Sequence, residues 1–377
     1  PYRGGAKNMK KLYLTILLSL IFIPNFVFAQ TDNVVLPSET FKAKILNIVE
    51  EKTITRDDGS TAIQQNIRLK GLGGTWKNKE FFYNGISDID VLSQNAYKAG
   101  EKVMVTWEKD FDGVDQFYIV QYVRDGYLYL LAGIFAIIII LIGRGKGIRS
   151  LLSLLITFFV IIKFIIPLIM SGHNPLLISL VGAFFILLSI IYVTEGLNKK
   201  THIAIVSVVI SLSLTFIISW IFVHLTRLTG FASEDTTFLV GTGSGIVDFR
   251  GLLLAGILIG TLGVLDDVIL GQIETISEIK RLNPGLSNKE IIKTGSKIGR
   301  THLSSMVNTL FLTYAGASLP LLILFSLYKN AGTSFVAVIN NEAIATEIVR
   351  TLSGSIGLAL AFPITTLLAV YFLKNKK

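Results

Sequence analysis

The stretch Gly251-Leu-Leu-Leu-Ala-Gly-Ile-Leu-Ile-Gly-Thr-Leu-Gly-Val-Leu-Asp-Asp-Val-Ile-Leu-Gly271 decides the fold class. Apart from Thr261 and two adjacent carboxylates it is apolar throughout. As an α-helix rising about 1.5 Å per residue it is long enough to cross a hydrocarbon layer of about 30 Å. A helix also satisfies its own backbone N–H and C=O groups, which lipid cannot do. Similar runs fill 127–143, 151–170, 175–193, 203–225, 251–276, 301–328 and 351–373, so about seven spans are expected.

Composition agrees. Of the 377 residues 51% are hydrophobic and 16% charged, and the mean hydropathy is +0.62. A soluble domain of this size carries roughly a quarter charged residues. The deficit lies in 127–373, whereas 30–126 holds charges at ordinary density. The net charge of +9 is concentrated in the connections between apolar runs, which argues against a nucleic-acid partner and for a lipid bilayer. There is no cysteine, and His173, His202, His224 and His302 are scattered, so no metal site, cofactor or enzyme is expected.

Charge also orients the spans. Connections expected in the cytoplasm hold Arg144, Lys146, Arg149, Lys199, Lys200, Lys280, Arg281, Lys289, Lys293, Lys297, Arg300, Lys374, Lys376 and Lys377, fourteen in all. The opposite connections hold Arg227, Arg250, Lys329 and Arg350, only four. Positive residues stay inside, so the C-terminus is expected in the cytoplasm and residues 30–126 outside it. Met9-Lys10-Lys11, the apolar Leu12–Phe28 and Val27-Phe28-Ala29 have the parts of a secretory signal, so 1–29 reads as a signal peptide or first helix.

Residues 41–124 alternate as strands: Phe41–Val49, Ile63–Leu69, Lys79–Tyr83, Lys102–Trp107 and Gln116–Val123. Asp57-Asp58-Gly59, Gly71, Gly73-Gly74, Ala99-Gly100 and Asp112-Gly113 separate them as turns. Five short strands suit a small OB-like barrel. The fold class is thus a polytopic α-helical membrane protein with a small extracytoplasmic all-β domain, divided 1–29, 30–126 and 127–377.

Asp266 and Asp267 are the chemical anomaly. One ionised Asp at the centre of a span costs ~2.5–3.5 kcal/mol on insertion scales. Two side by side repel, and apolar surroundings disfavour their joint ionisation. The pair is therefore a candidate acceptor for a proton or Na⁺. Gly256, Gly260, Gly263, Asp267 and Gly271 recur at steps of three or four and share one face, expected to pack against another helix, with Asp266 about 100° away. Lys163 is a candidate counter-charge, or its stem snorkels outward. In the sixth span, Thr301, Ser305 and Asn308 form one stripe and Thr309, Thr313, Gly316 and Pro320 another. Such stripes glue helices or line a wet path, and Asn308, Ser305, Thr309 and Thr313 are the path candidates. Pro167, Pro320 and Pro363 are expected to break helices locally. Two short surface helices joined at Asn283-Pro284-Gly285, with Ser287 capping the second, suit 271–300. Gly241-Thr-Gly-Ser-Gly245 reads as a flexible loop, not a phosphate cradle.

Gly263-Val-Leu-Asp-Asp-Val268, Gly299-Arg300, Asn308-Thr309-Leu310, Tyr314-Ala-Gly316 with Leu319-Pro320, and Glu347, Arg350, Gly354, Gly357 and Pro363 together resemble the YibE/F family over residues 40–373. The resemblance implies a multi-pass protein of a bacterial cell membrane. Where that family's pattern has an acidic residue after the Gly-Arg pair, this chain has Thr301-His302. More loosely, a paired-Asp helix, a basic loop and a polar helix are similar to one half of RND and SecD/SecF-type permeases, whose paired aspartates take up protons. That likeness implies an ion-coupled transporter or export factor, pairing with itself or with a homologous subunit. The alternative is a membrane scaffold acting through its outer domain. An intramembrane aspartyl protease would need its aspartates on two facing helices.

Overall fold

The computed structural model describes residues 38–55, 61–86, 96–110, 112–232, 236, 239, 248–329 and 334–373. The 1–29 segment, the Asp57-Asp58-Gly59 turn, the Gly241–Gly245 loop and the last three lysines lie outside the described residues. The chain divides into two compact units, the described residues of 27–138 and those of 139–377.

The first unit is a five-stranded antiparallel sheet: β1 (Ser38–Thr55), β2 (Thr61–Gly71), β3 (Glu80–Asn84), β4 (Lys102–Lys109) and β5 (Asp115–Tyr122). All five strands coincide with those expected from alternation. The sheet order is β3-β2-β1-β4-β5. β1 serves both neighbours because register shifts after Ile45 and Ile48 bend it; one part pairs with β4 (Phe41↔Val105) and most of it with β2 (Thr55↔Thr61). Phe41, Ala43, Ile45, Ile67, Leu69, Phe81, Val103 and Val105 alternate into one apolar core.

The expected barrel does not close. β3 and β5 are the two ends of the sheet, with no ladder between them among the described residues. Their side chains meet instead: Phe81 stacks on Phe117 at 4.3 Å, and Trp76 stands edge-on to Phe117 at 4.8 Å. β3 is five residues long, and bulky rings fill the space in which a further ladder would form.

The second unit is helical. α1 (Asp125–Val160) enters it, a π-helical turn (Ile161–Ile165) leads to α2 (Ile166–Met170), and α3 (Pro175–Glu195), α4 (Lys199–Leu225), α5 (Phe249–Leu282), α6 (Asn288–Ala317), α7 (Leu319–Lys329), α8 (Phe335–Ile339) and α9 (Glu342–Phe372) follow. Five helical stretches among the described residues are long and apolar enough to cross a membrane: Asp125–Met170, α3, α4, α5 and α9. The first two expected spans share one of them, broken by non-helical backbone at Arg144 (φ 49°, ψ −128°). The sixth, 301–328, is divided at Ser318 between α6 and α7. Its Ser, Thr and Asn content also keeps α6 out of the apolar set.

α5 is the central helix, packed against α3, α4, α6 and α9. Its Leu258, Leu262, Leu265, Ile269 and Ile273 are fully buried beside Ile191, Val208, Leu358 and Ala361. Buried hydroxyls return their hydrogen to the carbonyl four residues earlier, as Thr215, Thr261, Thr365 and Thr366 do. The expected surface helices are instead continuations of α5 and α6. Ser287 does cap α6, in a reciprocal capping box with Glu290. Pro320 follows the α6–α7 break and Pro167 opens α2, but Pro363 sits inside α9 without ending it.

Candidate functional site

Helical geometry separates the two aspartates. Asp266 points into the bundle and is only 8% exposed, whereas Asp267 is exposed. No ion pair or side-chain hydrogen bond engages Asp266 among the described residues; its carboxylate meets main-chain N–H groups of Asp266 and Asp267. A buried carboxyl with neither counter-charge nor side-chain donor is held by surrounding packing, and ionising it there is costly.

The expected glycine face exists, and Asp267 is on it, but it is not a packed face. Gly256, Gly260, Gly263, Asp267 and Gly271 are all exposed. A Cβ added at Gly256 or Gly263 would meet nothing within 4 Å. At Gly260 it would lie 2.5 Å from Tyr314 Oη, and at Gly271 it would lie 3.8 Å from His302 Nε2. Thus α6 reaches this face at Gly260 through Tyr314 and at Gly271 through His302, and leaves Gly256 and Gly263 open. His302 also interacts electrostatically with Asp267.

The glycines that do permit close approach are others. At Gly299 an added Cβ would overlap the Phe362 ring and lie 2.6 Å from Gln272 Oε1; at Gly357 it would overlap the Thr215 hydroxyl and lie 2.8 Å from Thr215 Cβ. These positions seat α6 on α5 and α9, and α9 on α4. Buried Gln272 ties three helices together, its Nε2 donating to Thr366 Oγ1 (2.9 Å) on α9 and Gly295 O (3.4 Å) on α6.

Ser305, Asn308, Thr309 and Thr313 are all exposed on α6. Thr309 donates to Ser305 O at 3.0 Å and Thr313 to Thr309 O at 2.8 Å, so their hydrogens are spent locally and only lone pairs face outward. Lys163 lies exposed in the π-helical turn, which packs on α3, and it forms no ion pair with Asp266 or Asp267 among the described residues. The counter-charge pairing is not made.

The open face of α5 continues past Asp267. Gly271, Glu274 and Glu278 are exposed on it and border a cavity of about 690 Å³, with Lys146, Glu195, Lys199, Lys200, Lys280 and Arg281 also around it. Gly271, on the rim of this cavity, is one helical turn from Asp267. At the other end, Tyr314 lies under Arg350 (6.0 Å from ring centre), and Arg350 pairs with Glu347 at 3.2 Å. No His/Asp/Glu group arranged to hold a metal occurs among the described residues.

The sequence reading gave no part in this site to four contributors: His302, Gln272, Lys280 and Gly299. His302 follows Arg300 by two residues on α6, nearly on the opposite face of the helix, and only the crossing of α6 over α5 brings it to Gly271. Lys280 reads as one more loop lysine, yet it is buried at 5% exposure and donates to Val370 O (2.6 Å) and Leu373 O (2.5 Å) at the end of α9.

Residues 131–375 match the YibE/F-like protein family. The match covers the helical part and leaves the sheet outside it, a narrower extent than 40–373. No curated protein and no solved structure matches the chain.

Proposed function

We propose, from the premise that the chain belongs to the YibE/F-like family, that it is an ion-coupled membrane transporter or export factor in which Asp266 and Asp267 take up the coupling H⁺ or Na⁺. The observation that carries this reading is the division of the pair. Asp266 is enclosed with no counter-charge among the described residues, and its neighbour Asp267 is exposed, near His302 and one turn from the rim of the basic cavity. A cation arriving along the exposed α5 face reaches Asp267 first. Its charge then relieves the repulsion that the inner carboxylate feels.

In this reading the basic connections face the cytoplasm, the C-terminus is inside and the sheet domain is outside a bacterial cell membrane, supported by the fourteen-to-four distribution of Lys and Arg. The exposed glycines, Asp267 and Asn308 are poor neighbours for lipid. A second copy or a homologous subunit covers them in the working assembly.

The test is ion flux into proteoliposomes made from the full chain, read with an internal pH dye and with radioactive Na⁺ under an imposed gradient. Asp266→Asn and Asp267→Asn should each lower flux at least tenfold while purifying and melting like the parent. If both variants carry ions at the parent rate, the coupling role fails. Loss of cellular function on deleting the sheet, with both variants active, would instead favour a scaffold acting through that domain.

A further inference from the structure

The cavity at the basic end of the helical unit carries unbalanced charge. Glu195, Glu274 and Glu278 border it, and each is already paired: Lys146 with Glu195 at 3.1 Å, Lys200 with Glu274 at 2.7 Å and Arg281 with Glu278 at 2.7 Å. Two ammonium groups remain. Lys199 forms no ion pair among the described residues, and the buried Lys280 meets only the Val370 and Leu373 carbonyls. Five cationic side chains thus stand against three carboxylates around about 690 Å³.

A concave surface with surplus positive charge and low-dielectric walls concentrates anions. Leu270, Ile273 and Leu373 give the same cavity an apolar wall. Its volume is within the range of small-molecule sites, roughly 300–1,000 Å³, and leaves room for more than a bare oxyanion. Lysine ammonium groups bind phosphate as point charges from several directions and need no fixed fork.

We propose that this cavity binds a phosphate anion, carried either on the headgroup of an anionic lipid or on a soluble phosphate compound. The site does not depend on ion coupling by Asp266 and Asp267, and it would stand if those two variants carried ions normally.

The full chain is tested in two arms. In the lipid arm, protein from nanodiscs of phosphatidylcholine, with or without phosphatidylglycerol, is delipidated and the retained lipid is counted by native mass spectrometry. In the soluble arm, thermal unfolding in neutral detergent is compared in inorganic phosphate and in chloride at equal ionic strength. Lys199→Gln removes a charge that no described partner needs, and Lys146→Gln removes a second while freeing Glu195. Each should weaken phosphatidylglycerol retention, or the apparent phosphate affinity, by about tenfold or more, the worth of one charge-assisted contact. A response in the lipid arm alone identifies a headgroup; a response in the phosphate arm alone identifies a soluble ligand. The proposal is overturned if neither anion is preferred by the parent, or if the preference survives both substitutions unchanged.

Discussion

Replacing Gly299 by Ala puts the α5–α6–α9 junction under a direct steric load. The added methyl would lie 2.6 Å from Gln272 Oε1, where ordinary contact begins at 3.4 Å, and it would overlap the Phe362 ring. Phe362 is 7% exposed and Gln272 is 3% exposed, so neither can swing into solvent. Overpacking a filled core costs about 1–3 kcal/mol. Displacing Gln272 also strains its bond to Thr366, worth about 1 kcal/mol. Against this, Ala in place of Gly gains up to about 1 kcal/mol of helix propensity. The net is a destabilisation of about 1–3 kcal/mol, or roughly 3–10 °C in Tm for a unit of this size. Gly256→Ala is the control, because it lies in a helix of the same unit, has the same propensity gain and has nothing within 4 Å. Thermal unfolding in detergent should place Gly299→Ala well below Gly256→Ala. Phe362→Leu should recover part of the loss, with a coupling of about 1 kcal/mol between the two changes. Equal Tm values for the two alanine variants, or strictly additive effects with Phe362→Leu, would refute this account of the junction.

Lys280→Met should destabilise the helical unit by about 1–3 kcal/mol, because the Val370 and Leu373 carbonyls lose their donor while the aliphatic stem is kept. Hydrogen exchange should show the last turn of α9 opening first; unchanged exchange there would count against the capping role. In the sheet, the Val114 N–H (2.8 Å) above all, then the Gln116 amide and the Asp112 N–H, hold the Asp110 carboxyl below the usual carboxylate range. A depressed folded-state value contributes stability above the unfolded value of about 3.9, and this is lost as pH falls through the folded one. Denaturant unfolding followed by tryptophan fluorescence should therefore find Asp110→Asn weaker than the parent near neutrality. The gap should close in acid, and a gap of constant size would contradict the linkage.

Periodicity and composition determined a good deal unaided. Alternation located all five strands, and apolar runs located α3, α4, α5 and α9, because both signals are local consequences of which face of an element meets water. The phase of α5 likewise put Asp267 with the glycines and Asp266 on another face. What covers each face is not a local property. The sequence reading expected Gly256 and Gly263 to receive a helix, yet in the fold that face is open while Gly299 and Gly357 take the close contacts. A glycine in a helix looks the same in sequence whether it faces a ring or open space. The meeting of the two sheet ends through rings instead of a ladder, the burial of Lys280 at the end of α9 and the approach of His302 to Gly271 were decided only by tertiary structure. Each joins residues far apart in the chain, through crossing angles and packing that no spacing of residues encodes.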